Sequence, residues 1–169
     1  MALLVPAATA SSLLAVAFVL LALLLADIGT REEQTGLARV FAASPGAGGR
    51  VAAVKLLSTL ATALLLLVPF AAKASVAHGL ALPAAVAGAL FAASLAVSLG
   101  QATGSSKPFV GLLLALWYVA MNDKGRTPAL DLAGFSGAAT AGSIAGWLAV
   151  ALLLATGALL LERVRLSRA

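Results

Sequence analysis

Long apolar runs without a charge constrain this chain more than any motif does. Residues 3–26 are uncharged and Leu-rich, and residues 80–99 and 132–161 carry no charge either. Residues 52–72 carry only Lys55, near the start, with Lys73 just past the end. A helix crossing a hydrocarbon layer of roughly 30 Å needs about twenty such residues. A chain of 169 residues that is 62% hydrophobic and 10% charged cannot hide that much apolar surface from water. Lipid is the solvent this sequence predicts. The first run is too long for the core of a signal peptide, and no Lys or Arg precedes it, so it reads as a span.

Composition then removes whole classes of chemistry. Without cysteine there is no disulfide framework, no thiol catalysis and no cysteine metal site. His78 is the single histidine and has no carboxylate nearby, so a His/Asp/Glu metal cluster is not expected. It reads as a polar anchor at the outer interface. The net charge of +5 does not imply nucleic acid, because the Lys and Arg residues sit beside apolar runs as topology anchors rather than along a stripe. No GxSxG, HExxH or paired-carboxylate arrangement falls inside a span, and neither an enzyme nor a cofactor is expected. Gly100–Lys107 (GQATGSSK) does not satisfy the phosphate-loop pattern and reads as a connector.

The runs predict an all-α fold: one polytopic, integral membrane helical bundle of about five transmembrane helices with a cytoplasmic amphipathic helix after the first. The spans fall at 3–26, 52–72, 80–99, 105–122 and 142–161. A loop at 27–51, an outer loop at 123–141 with a surface or re-entrant piece near 131–141, and a basic tail at 162–169 complete the single domain. The segment 108–121 is only fourteen residues, and crosses by borrowing from its flanks.

The positive-inside rule orients the chain. With five crossings, Arg31, Arg39, Arg50, Lys55, Lys107, Arg163, Arg165 and Arg168 share one side, against Lys73, Lys124 and Arg126 on the other. Without the fourth crossing the split falls to seven against four, with the Arg tail outside. The expected protein is multi-pass in the inner (plasma) membrane, N-terminus outside and C-terminus cytoplasmic.

Small residues mark candidate packing ridges. Ala84, Gly88, Ala92, Ala96 and Gly100 recur every four residues, and Gly142 and Gly146 form a GxxxG. Such ridges let backbones approach and gain van der Waals contact in lipid; the competing reading is chance in an Ala/Gly-rich chain. No span carries a charge at its centre, although ion-coupled transporters keep one despite about 2.5–3.5 kcal/mol of insertion cost. Any transport would draw its energy from elsewhere. Asp123 and Asp131, among Lys124, Arg126 and Pro128, read as solvated loop residues, with a part in an outer gate as the alternative.

The stretch Asp27–Lys55 holds seven of the seventeen Asp, Glu, Lys and Arg residues. Asp27 or Thr30 can cap a helix whose first turn contains Glu32 and Glu33, acids suited to the positive end of the macrodipole. Leu37, Val40 and Phe41 fall on one face, giving a short amphipathic helix at the membrane surface. Ser44-Pro45-Gly46 ends it, and the Gly46–Gly49 turn reverses the chain. On spacing alone this is a lever between two spans or an ordinary connector.

Arg31-Glu32-Glu33, Thr35-Gly36-Leu37, Ala43-Ser44-Pro45, Arg50 and Val54-Lys55 resemble the segment after the second span in permeases of the ATP-binding cassette (ABC) exporter class, second type. Val54 stands where that family has Gly. Trp117-Tyr118, Asn122, Pro128-Ala129-Leu130-Asp131 and Gly134-Phe135 are similar to the outer loop of permeases grouped with multicopper-enzyme maturation systems. The resemblance implies a permease that works with a cytosolic ATP-binding subunit and pairs with a second copy or a paralogue. The cytoplasmic amphipathic helix would then be a coupling helix, with Glu32, Glu33, Leu37, Phe41 and Pro45 as its coupling residues. Such permeases usually have six spans and begin inside the cell. The helix before Leu3 would then be lacking, with a truncated chain, a misassigned start or a split gene as the expectation. The rival expectation is a non-transporting scaffold or assembly subunit that holds partner spans.

Overall fold

A computed structural model describes residues 7–26, 28 and 47–167, and the described residues form five α-helices joined by turns and loops, with no strand among them. Five α-helices follow one another: α1 (Ala7–Leu25), α2 (Ala47–Ala74), α3 (Ala81–Thr103), α4 (Lys107–Asp123) and α5 (Ala141–Ser167). A 3-10 turn, Pro128–Leu130, lies between the last two.

Local chemistry sets most of the ends. Gly104 closes α3 in the left-handed conformation (φ 63°), its N–H returning to the Gly100 carbonyl at 2.9 Å. Pro108 opens α4, where a missing N–H costs nothing. Lys124 and Gly125, both at positive φ, close that helix. Thr140 caps α5 reciprocally with Ser143: the Ser143 N–H donates to Thr140 Oγ1 at 3.2 Å, and the Thr140 N–H to Ser143 Oγ at 2.9 Å.

These ends shift several of the sequence boundaries. α2 begins at Ala47, so Gly48 and Gly49 lie in its first turn rather than in a chain reversal. α3 runs through Thr103, which leaves only 104–106 outside helix in the connector. α5 continues to Ser167, so most of the basic tail extends the last helix.

Packing follows from apolar stripes. On α1, Leu14, Phe18, Leu21 and Leu25 recur at alternating steps of four and three and are fully buried, while Val16, Leu20, Leu23 and Leu24 on the other side are exposed. α3 is the centre of the bundle, with 72% of its apolar window buried against 11% for α5. α2, α4 and α5 all pack on α3, and α1 lies across α2 and α4. Ala10, Ala74 and Ala81 meet at one end, so the start of α1, the end of α2 and the start of α3 share it. α3 and α5 run parallel: Phe91 stacks edge-on to Trp147 at 4.8 Å, and Ser98 Oγ donates to the Leu154 carbonyl at 2.8 Å.

α2, α3 and α5 are long and apolar enough to cross a membrane. Large side chains such as Leu57, Leu65 and Leu153 stand more than half exposed on the bundle's outside. A water-facing monomer rarely tolerates so broad an apolar belt, so the surface suits lipid. α4, at seventeen residues, rises about 25 Å at 1.5 Å per residue.

Candidate functional site

Glu32, Glu33, Leu37, Phe41 and Pro45 lie outside the described residues. The helix ends that flank their segment are described. α1 ends at Leu25 and α2 begins at Ala47, at the same end of the bundle as the end of α3, the start of α4 and the end of α5. Arg50, Lys55, Lys107 and Arg163 all belong to that end.

Near that end the central helix α3 and the outer helix α5 are joined by polar groups that the charge pattern of the sequence does not reveal. Ser94, Ser98 and Gln101 lie at i, i+4 and i+7 on α3, and all are buried. Gln101 Nε2 donates to the Glu162 carboxylate of α5 at 3.0 Å, while Gln101 Oε1 is buried without a partner. With the Ser98–Leu154 bond, this gives α3 and α5 two part-buried hydrogen bonds between them. The legible signal was the spacing of the three polar residues along one face of an otherwise apolar run.

At the opposite end the loop after α4 turns back into the bundle. Asp131 is not solvated, as the sequence had suggested: it is 5% exposed, and its carboxylate accepts the N–H groups of Ser136 at 3.2 Å, Ala138 at 2.9 Å and Ala139 at 3.1 Å. A carboxylate so occupied fixes the loop backbone around itself. The tight path needs Gly134 and Gly137 at φ +76° and +74°. Leu132, Ala133 and Phe135 are thereby carried inward, and Phe135 meets Phe18 of α1 edge-on at 5.2 Å. Asp123 stays at the surface of the turn, binding the Thr127 N–H at 2.6 Å and its hydroxyl at 3.1 Å. The ring of His78, between α2 and α3, lies against Gly137.

The small-residue ridge of α3 receives this loop. Ala84, Gly88, Ala92, Ala96 and Gly100 are all buried. A Cβ on Gly88 would stand 2.9 Å from both the Ala133 Cβ and the Leu132 carbonyl oxygen, so the outer part of the ridge seats loop backbone rather than a helix. Gly142 and Gly146 are not brought against another helix of the chain: both are exposed, and an added Cβ at Gly146 meets nothing within 4 Å. They line instead an open groove of about 630 Å³ with the 127–129 turn, Thr140, Ser143, Trp147 and Val150.

No group of three or more metal-ligating side chains occurs among the described residues. The chain matches no protein-family profile, no curated protein and no solved structure.

Proposed function

We propose that this protein is the membrane-spanning permease subunit of an ABC exporter, coupling ATP hydrolysis by a separate cytosolic ATPase to translocation. In this reading all five helices cross, and the segment between α1 and α2 is a cytoplasmic lever carrying Glu32, Glu33, Leu37, Phe41 and Pro45. The observation that carries it is the Arg31–Lys55 pattern together with where its flanking helices end, at the bundle end richer in Lys and Arg. The acids would face basic side chains of the ATPase and the apolar face would rest on the bundle. Closure of the ATPase would then tilt α1 and α2.

The joined pair α3 and α5 supplies the fixed part such a lever works against, and the buried loop at the far end is suited to an outer closure. α4 reaches across by stationing Lys107 and Lys124 at the two headgroup layers, where their stems can snorkel.

The test is retrieval of the chain from native membranes in mild detergent. A cytosolic ATPase should accompany it, and Glu32→Lys with Glu33→Lys should release that ATPase and abolish permease-dependent ATP hydrolysis in vesicles while the membrane part stays folded. Labelling that places Arg31–Arg50 on the extracytoplasmic face would sink the reading. Retrieval of a membrane enzyme with no ATPase would replace it by the scaffold reading.

A further inference from the structure

The groove beside α5 combines features that go beyond the transport reading. Its long side is apolar: Gly142, Gly146, Trp147 and Val150 run along α5, with Val150 about 13 Å from the helix start at 1.5 Å per residue. Its short side is hydroxylated, with Thr127, Thr140 and Ser143 at the loop end. The floor is rigid, because Trp147 Nε1 donates to the Ala129 carbonyl at 2.9 Å while the same ring stacks on Phe91. The volume lies within the range of about 300–1,000 Å³ usual for small-molecule sites.

The charges beside the groove are sorted by direction. The loop is formally neutral, with Asp123 and Asp131 against Lys124 and Arg126. The Asp131 carboxylate is turned into the loop and held there by backbone N–H groups, and that of Asp123, at the surface of the turn, is tied to Thr127. Lys124 and Arg126 are exposed, and Arg126 is next in sequence to Thr127 at the groove mouth. The surface offered at headgroup level is therefore cationic, above a slot that is apolar along α5.

We propose that this groove is a specific site for one anionic phospholipid of the leaflet at that end, with an acyl chain along Gly142, Gly146 and Val150 and the phosphate near Lys124 and Arg126. The inference rests on the membrane placement of the chain and not on its partnership with an ATPase.

The chain has two tryptophans, and Trp147 is a built-in reporter of the groove. In a Trp117→Phe background, or by difference from Trp147→Phe should the first variant fail to fold, fluorescence is measured in phosphatidylcholine vesicles. These carry equal mole fractions of chain-brominated phosphatidylglycerol or chain-brominated phosphatidylcholine. Brominated phosphatidylglycerol should quench Trp147 in excess, by about fivefold in relative affinity for each basic residue at the mouth. Gly146→Leu, whose Cβ meets nothing within 4 Å and whose longer side chain would occupy the groove, should abolish the excess. Lys124→Gln with Arg126→Gln should reduce quenching to the phosphatidylcholine level.

Equal quenching by both lipids, or an excess that survives Gly146→Leu, overturns the proposal. A dimer that Gly146→Leu disperses, with equal quenching, overturns it in favour of a second copy on this face. No quenching by either lipid would mean that the membrane placement itself has failed.

Discussion

Gln101 on α3 and Glu162 on α5 are sixty-one residues apart and share a hydrogen bond of 3.0 Å. One amide hydrogen of Gln101 is used, while its oxygen is left buried with no donor. Such a pair is half satisfied, and that makes its energetics testable. Either Gln101→Leu or Glu162→Leu strands the other polar group and should lower the thermal midpoint in detergent. The double variant Gln101→Leu with Glu162→Leu should cost less than the two singles together, because exchanging both partners for apolar groups removes the stranded atoms. A coupling of about 0.6 kcal/mol, and no more than about 1.7, is expected from a double-mutant cycle, the mean and the upper end for hydrogen bonds between membrane helices.

Gly88 and Gly146 form a matched pair of glycines on two helices. Gly88→Ala would push a Cβ to 2.9 Å from loop atoms, including the Leu132 carbonyl oxygen, and should destabilise by about 1–3 kcal/mol. Gly146→Ala meets nothing and replaces a poor helix former, so a gain of up to about 1 kcal/mol is expected. Thermal unfolding of the two variants side by side decides it, and equal effects would contradict the seating of the loop on α3.

Asp131→Ala should release the loop from its own carboxylate. Three N–H groups lose a charged acceptor, at about 1.5–3 kcal/mol for a hydrogen bond of this class, so a total loss above about 2 kcal/mol is expected. Amide exchange at Ser136, Ala138 and Ala139 should rise sharply, with the amides of mid-α3 unchanged. Asp131→Asn keeps one acceptor oxygen and should fall between.

Gly137→Ala meets two obstacles, the His78 ring and a φ of +74°. His78→Ala should relieve the first and leave the second, which costs roughly 1 kcal/mol for a residue with a Cβ. Partial rescue of the thermal midpoint in the double variant is therefore expected. No rescue would show that the two residues do not oppose each other as described, and full rescue that the positive φ carries no cost.

α2, α3 and α5 were legible because an apolar run long enough for a membrane announces itself residue by residue. The seating of the Asp131–Phe135 segment was not legible, because Leu132, Ala133, Gly134 and Phe135 have no helical or strand period. Their burial depends on Gly88 and Ala84, more than forty residues earlier in the chain. Asp131 misled for a related reason: a carboxylate in a turn-rich stretch reads as solvated unless its backbone donors are known. Gly142 and Gly146 carried a familiar spacing, yet spacing names no partner, and within the chain their face is open. The acids Glu32 and Glu33 remain outside the described residues, so the part of the site most readable in sequence is the part for which the fold supplies only the flanking helix ends.

The parallel pairing of α3 with α5 has a consequence for synthesis. Ser98 leaves the ribosome fifty-six residues before the Leu154 carbonyl it binds, a wait of about 3–11 s at roughly 5–20 residues per second. During that interval the Ser98 hydroxyl and the Gln101 amide of the central helix are without their eventual acceptors. A chain that inserts as it is made thus passes through a stage in which its innermost helix is its least satisfied, and arrival of the last helix closes that window.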